Sequence, residues 1–321
     1  MGKATAIANP NIAFIKYWGK ADQALNLPAN PSLSMNLGAL TTVTTVEFRP
    51  GQVSDVVTIG DRRATGQALE RVIAHLDRVR ALSGSVERAR VDSRNDFPAA
   101  TGLASSSSAF AALTQAAARA AGLSLDEAEL SRLARLGSGS ACRSVPAGFA
   151  LWKMEEAHQV APPEHWDLRD AIAIVTEQAK AVGSHDGHAL APTSPFHAAR
   201  LAAVPGWLAA VMDGLAERDL AAMGPAIEAD ALAMHSVMMT SQPSLMYWLP
   251  ATVAVLHAVR AWRAEGLEVY FTIDAGPNVH CLCQAVAASE VEGRLKSLPG
   301  VQEVVMSGPG AGVRSVDWHL F

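Results

Sequence analysis

Four short segments carry residues whose types and spacing could do chemistry. The stretch 98–108, PAATGLASSSS, sets small residues, Gly102 and Ala104 among them, ahead of four consecutive hydroxyls and an alanine-rich helical pattern. Small residues let a backbone approach a ligand closely. The free N–H groups at a helix N-terminus carry roughly half a positive charge. Together they form a cradle for phosphate oxygens, with Ser105, Ser106 and Ser107 as further donors or as ligands for magnesium. An ordinary N-cap in a serine-rich turn accounts for one such hydroxyl equally well, although four exceed what a cap needs. The second segment, NIAFIKYWGK from Asn11 to Lys20, has Lys16 and Lys20 flanking two aromatics, with Gly19 permitting a turn. A lysine at a strand end can act as a point charge on phosphate or carboxylate; two solvated lysines around core aromatics give the same string. In the third, GSGSACRS, Arg143 lies in a Gly/Ser-rich turn, where its guanidinium can fork onto a carboxylate or phosphate or simply sit on a surface loop. In the fourth, FTIDAGPN, Asp274 closes an apolar strand. It can cap the turn, the commoner role, or serve as base or orienting carboxylate, ionised at neutral pH beside cations such as Lys16 or Arg143. His185 and His188 stand in HDGH without further His or Cys at ligand spacing, so zinc is set aside.

These segments need elements to hold them. The chain has 321 residues, enough for about two domains. Half of it is hydrophobic and 18% is charged, which excludes a disordered chain. The net charge of −5 argues against a nucleic-acid surface, so an anionic ligand must be held by a few placed cations and backbone N–H groups. No apolar run reaches the roughly 20 residues of a membrane helix. Three cysteines make no disulfide framework, and no signal peptide is visible, so a reduced cytoplasmic setting is expected. Strand patterns occupy 5–18, 42–59, 171–175, 267–273, 279–284 and 301–306. Helical periodicity covers 67–82, 109–121, 124–136 (with Ser124 and Glu127 as a capping box), 196–262 with breaks at Pro205, Pro225 and Pro243, and 289–297. Strands paired through short turns, with helices beside them, predict α+β layers. A P-loop, a dinucleotide GxGxxG, a GxSxG elbow and HExxH are all missing.

Taken together, NIAFIKYWGK, PAATGLASSSSAFAAL, GSGSACRS with the following Gly148, Phe149 and Trp152, and TIDAGPNV resemble the diphosphomevalonate decarboxylases. These belong to the superfamily of galactokinase, homoserine kinase, mevalonate kinase and phosphomevalonate kinase. The likeness runs from Ala4 to Gly312. It implies a two-domain fold, residues 1–184 like ribosomal protein S5 domain 2 and residues 185–321 ferredoxin-like, with the site in the cleft between. It implies ATP-dependent decarboxylation of mevalonate 5-diphosphate to isopentenyl diphosphate, with ATP and Mg²⁺ as cofactors, in a cytoplasmic homodimer with no nucleic-acid or membrane partner. By the family match, Asp274 faces the 3-hydroxyl, Arg143 binds the substrate carboxylate with support from Asn11, and Lys16 sits by the transferring phosphate. Tyr17, Lys20, Ser138, Ser140 and Ser184 would grip the substrate's own phosphates. Gly102, Ala104, Ser105, Ser106 and Ser107 would hold the nucleotide, with Ser106 on the metal. Where the family's SSxxGM segment usually has its first Ser and its Met, this chain has Gly183 and His188. A polar, titratable ring beside the substrate phosphate can retune the choice between monophosphate and diphosphate. Relatives that decarboxylate the monophosphate, or only phosphorylate the 3-hydroxyl, are therefore the alternatives; a non-catalytic binding protein would be expected to have lost Asp274 or the Gly/Ser loop.

Overall fold

A computed structural model of the chain describes residues 2–97, 105–178 and 182–321. Eight helices are labelled in chain order: α1 (Gly66–Ser83), α2 (Ser105–Ala120), α3 (Glu127–Gly137), α4 (Ser184–Leu190), α5 (His197–Glu217), α6 (Leu220–Met239), α7 (Pro250–Ala264) and α8 (Ala288–Lys296). Strands Arg314–Val316, Lys3–Ala8, Thr42–Arg49, Arg88–Asn95, Val56–Ile59 and Arg62–Arg63 form, in that order, an outer sheet. An inner sheet runs Glu156–Ala161, Phe149–Lys153, Ser32–Asn36, Asn11–Ile15. The C-terminal sheet runs Val269–Thr272, Val279–Gln284, Leu168–Ile174, Glu303–Ser307, and it is antiparallel throughout. The first two sheets with α1–α3 make the S5-domain-2-like unit, and the third with its helices makes the ferredoxin-like unit, as expected for a two-domain α+β chain.

Side-chain alternation explains the layering. Along Leu168–Ile174, Leu168, Ile172 and Ile174 join the central core with Phe14, Phe149, Val211 and Tyr270, while Ala171 and Ala173 face α7 and α8 with Val255, Phe271 and Leu295. Cys281 and Cys283 share that second face, and all three cysteines are free and buried. A third core, around Val46, Leu76, Val91, Phe110 and Leu133, seals α1–α3 against the outer sheet.

Several boundaries differ from the sequence expectation. The division expected between 184 and 185 leaves Leu168–Ile174 on the N-terminal side, yet both its edges pair with C-terminal strands. Arg314–Val316 conversely pairs with Lys3–Ala8. The α3 cap is Asp126 with Glu129, whose reciprocal bonds are 2.8 and 2.9 Å, in place of Ser124 with Glu127. Pro205 and Pro225 do not break helices; they lie inside α5 and α6 on exposed positions. Pro243 does lie between α6 and α7. No helix among the described residues is long and apolar enough to cross a membrane.

Candidate active site

The last residues of the inner strand Asn11–Ile15 lead directly into Lys16, Tyr17 and Trp18, where the N-terminal unit meets α6 and the C-terminal sheet. A cavity of about 330 Å³ opens there. One wall carries Asn11, Lys16, Tyr17, Lys20, the turn after α3 with Ser138, Ser140 and Arg143, and the start of α2 with Ser105 and Ser106. The other carries Ser184, His185, Asp186 and His188 of α4, Met234 of α6, and Asp274 just past the strand Val269–Thr272.

Lys16 is 1% exposed, and its Nζ donates to Asp274 Oδ1 at 2.6 Å. Burial lowers its pKa, although the facing carboxylates of Asp274 and Asp230 oppose that shift. Burial alone would raise the Asp274 pKa; the charges of Lys16, His280 and Arg143 and the Lys16 hydrogen bond outweigh it and hold the carboxyl below its usual range. Asp274 is thus an ionised carboxylate that still reaches the cleft, its side chain 24% exposed. The turn-cap role open to it in the sequence is replaced by this ion pair.

Arg143 is buried at 3% exposure, which excludes the surface-loop alternative. The turn Gly139–Ser144 aims it inward, where Nε donates to Asn11 Oδ1 at 3.2 Å and Nη1 to Ser32 Oγ at 2.7 Å. Asn11 is oriented in turn by its own donations to Ser144 Oγ at 2.8 Å and the Ser140 carbonyl at 3.2 Å. A guanidinium pinned on two edges has lost little freedom to form a fork on an incoming carboxylate.

Tyr17 lies between Trp152, at 4.6 Å between ring centroids, and His188, at 4.1 Å. Its hydroxyl is buried and finds no hydrogen-bond partner among the described residues, a group that suits a ligand oxygen. A Cβ on Gly139 would come within 2.7 Å of the Tyr17 ring, so glycine is required for the turn to close here. His188 accepts the Gly19 N–H on Nδ1 at 3.1 Å, which leaves Nε2 as its donor. Gly19 itself has φ of 91°, a backbone state that L side chains avoid.

The expected site residues Asn11, Lys16, Tyr17, Lys20, Ser105, Ser106, Ser138, Ser140, Arg143, Ser184, His188 and Asp274 therefore line one cavity. Ser107 does not; residues 105–108, expected as loop, already belong to α2, which turns Ser107 fully into the core. Gly102 and Ala104 lie outside the described residues. Several lining groups were not foreseen. Gln67 and Arg71 of α1 reach the cavity from a helix whose periodicity reveals only its core face. Arg71 lies near enough to lower the Lys20 pKa after burial has done so, and Asp186 opposes both. The walls thus hold Lys16, Lys20, Arg71 and Arg143 against Asp186 and Asp274, a local cationic excess in a chain of net charge −5.

Ser106 stands on α2 with Ser138 Oγ at 3.4 Å, and no cluster of His, Cys, Asp or Glu suited to a metal occurs among the described residues. A magnesium carried on nucleotide phosphates and touched by a hydroxyl fits this donor set; an all-protein metal cage does not.

A buried Lys–Asp pair, a pinned guanidinium and the hydroxyls of Ser105 and Ser106 in one cationic cleft define an enzyme for small phosphorylated acids. Residues 8–161 match the diphosphomevalonate decarboxylase-like N-terminal domain and residues 171–307 the mevalonate 5-diphosphate decarboxylase C-terminal domain. The phosphomevalonate decarboxylase of Haloferax volcanii is 37% identical over 87% of this chain and 87% of its own. The diphosphomevalonate decarboxylase mvd1 of Aspergillus fumigatus is 35% identical over 96% of this chain and 83% of its own. A solved structure described as MDDEF in complex with MVAPP, AMPPCP and magnesium superposes with a TM-score of 0.92 at 36% identity, covering 98% of this chain and 99% of that one. The chain belongs to the diphosphomevalonate decarboxylase family.

Proposed function

We propose that the chain catalyses the ATP-dependent decarboxylation of mevalonate 5-diphosphate to isopentenyl diphosphate, releasing ADP, phosphate and CO₂. The observation that carries this reading is the 2.6 Å Lys16–Asp274 contact facing Arg143 across one cavity. A 3-hydroxy acid does not lose CO₂ directly, because hydroxide is a poor leaving group. Asp274 orients the tertiary hydroxyl toward the γ-phosphorus. Phosphoryl transfer passes through a loose transition state in which the nucleophile's proton leaves late, so a carboxylate of low pKa suffices as positioning group and acceptor. Lys16 supplies its charge to the transferring and then to the departing phosphate. As the C3–O bond breaks, Asp274 faces the positive charge that develops at C3. Arg143 holds the substrate carboxylate so that the breaking C–C bond aligns with that carbon, and its electron pair becomes the new double bond. Lys20, Arg71, Ser138, Ser140, Ser184 and the Tyr17 hydroxyl form the wall for the substrate's own phosphates. Ser105 and Ser106 at the start of α2 receive the nucleotide. Ser106 is the residue that would hold a magnesium ion carried on the nucleotide, and that ion would supply neutralisation of phosphate charge.

Asp274→Asn tests this. In a coupled ADP and CO₂ release assay it should lose at least about 1,000-fold in kcat with an unchanged far-UV spectrum; near-normal turnover would remove Asp274 from the chemistry. A second reading, phosphomevalonate decarboxylase, is favoured by His188 in the phosphate wall and by the Haloferax volcanii relative. Kinetics on both substrates side by side separate the two. The same reading carries a cytoplasmic setting, which three free buried cysteines suit, and a homodimer, which sedimentation tests.

A further inference from the structure

Helix α6 contains only three titratable residues, Glu228, Asp230 and His235, and each of them bonds a backbone group of the strands that carry the reaction centre. Glu228 Oε1 accepts the Phe271 N–H at 3.2 Å, which seats α6 on the strand leading to Asp274. Asp230 Oδ2 accepts the Lys16 N–H at 2.6 Å. His235 Nε2 lies 3.1 Å from the Asp274 carbonyl, and since a carbonyl only accepts, that nitrogen carries the proton. The other side of Lys16 is held as firmly: its carbonyl accepts from Arg200 Nη2 at 2.9 Å and from Asn30 Nδ2 at 2.9 Å, and Arg200 is itself paired with Asp230 at 2.8 Å. Asp230 and Arg200 are 0% and 2% exposed. An ion pair this deep adds little net stability, because desolvation offsets its attraction. What it does fix is geometry.

We propose that α6 is the positioning element of the reaction centre: Asp230 sets the backbone of Lys16 and His235 sets the backbone of Asp274, so the separation of the two reacting side chains is dictated by one rigid helix. The two anchors lie about 7.5 Å apart along its axis at 1.5 Å per residue. Lysine on its own is a flexible four-carbon stem; with N–H, C=O and Nζ all engaged, Lys16 has no backbone freedom left to drift from Asp274. Both positioning residues act through another group, and the inference rests on the proposed roles of Lys16 and Asp274.

The test uses the full chain with ATP, magnesium and mevalonate 5-diphosphate. His235→Leu should lower kcat about 10-fold with KM for both substrates within about 2-fold, and His235→Gln, which keeps an N–H within reach of the carbonyl, should recover much of the loss. Asp230→Asn should lower kcat by a similar factor in the parent and by nothing further in a Lys16→Met background. The six lysines of the chain also permit titration by lysine-labelled NMR. Lys16 faces Asp274 and Asp230, which favour its charge, and Arg143, Arg200 and His235, which do not. Removing the Asp230 charge should therefore move its pKa down. Unchanged kcat in the single variants, a loss confined to KM, an undiminished Asp230→Asn effect in the Lys16→Met background, or an unmoved Lys16 titration would each overturn the proposal. If Asp230→Asn does not fold, the two His235 variants decide. If the parent protein turns over neither mevalonate phosphate, the reaction assigned above fails, and the Lys16 titration still decides the positioning.

Discussion

Acidification reports on two buried imidazoles. His75 of α1 donates or accepts at Thr114 Oγ1, 2.8 Å away, and its Nδ1 is buried with no partner among the described residues. Burial, then the charge of Arg78, push its pKa down to about 3; burial, then Lys16, do the same for His235. Both titrate lower folded than unfolded, so between about pH 3 and 6.5 the unfolded chain holds more protons and stability falls as pH falls. At about pH 5 each imidazole costs RT ln(1 + 10^1.5), about 2 kcal/mol relative to about pH 8, or about 4 kcal/mol for the pair. The figure is insensitive to the native value, because any native pKa below about 4 leaves the ring neutral at that pH. Urea unfolding at the two pH values should therefore show a gap that narrows by about 2 kcal/mol in His75→Gln. An identical gap in parent and variant, or a His75 ring signal that titrates near 6.5 in the folded protein, would refute the reasoning.

Arg143→Lys keeps the charge and loses the fork; kcat/KM for the mevalonate substrate should fall about 10- to 150-fold, the value of one charge-assisted hydrogen bond, read in the same coupled assay. Gly139→Ala would press a methyl to within 2.7 Å of the Tyr17 ring and displace it from the phosphate wall, so KM for the phosphorylated substrate should rise more than kcat falls. His188→Met removes the Nε2–H from that wall and frees the Gly19 N–H; the ratio of kcat/KM for diphosphate over monophosphate should change by about 10-fold, as expected for one polar contact, while kcat for the better substrate stays within about 3-fold.

Much of the site was legible because its residues advertise themselves locally. Gly19, Gly139 and the serines opening α2 sit where a backbone must turn or approach a ligand, and Lys16, Arg143 and Asp274 end or interrupt apolar runs. The side chains that hold Lys16 were not legible. Arg200 and Asp230 read as ordinary polar positions on helices, and their partner is a backbone group some 200 residues distant, to which no spacing rule points. Arg71 was hidden for a related reason: helical periodicity identifies the face that enters the core and is silent about the face that overlooks a cleft. Ser107 illustrates the opposite error. Four serines in a row look equivalent in a string, but all four lie on α2, and the pitch of 3.6 residues sends the third away from the cavity. The domain division slipped because the strand Leu168–Ile174 is buried on both faces, so no exposed face marks which sheet it joins.

The pairing of Arg314–Val316 with Lys3–Ala8 has a temporal corollary. On the ribosome the strand Lys3–Ala8 is made long before its neighbour on that edge, which emerges only after the whole second unit has been synthesised. The outer sheet must therefore wait with an open edge, and ordering of the late segment should trail assembly of the ferredoxin-like half, tying maturation of one lobe to completion of the other.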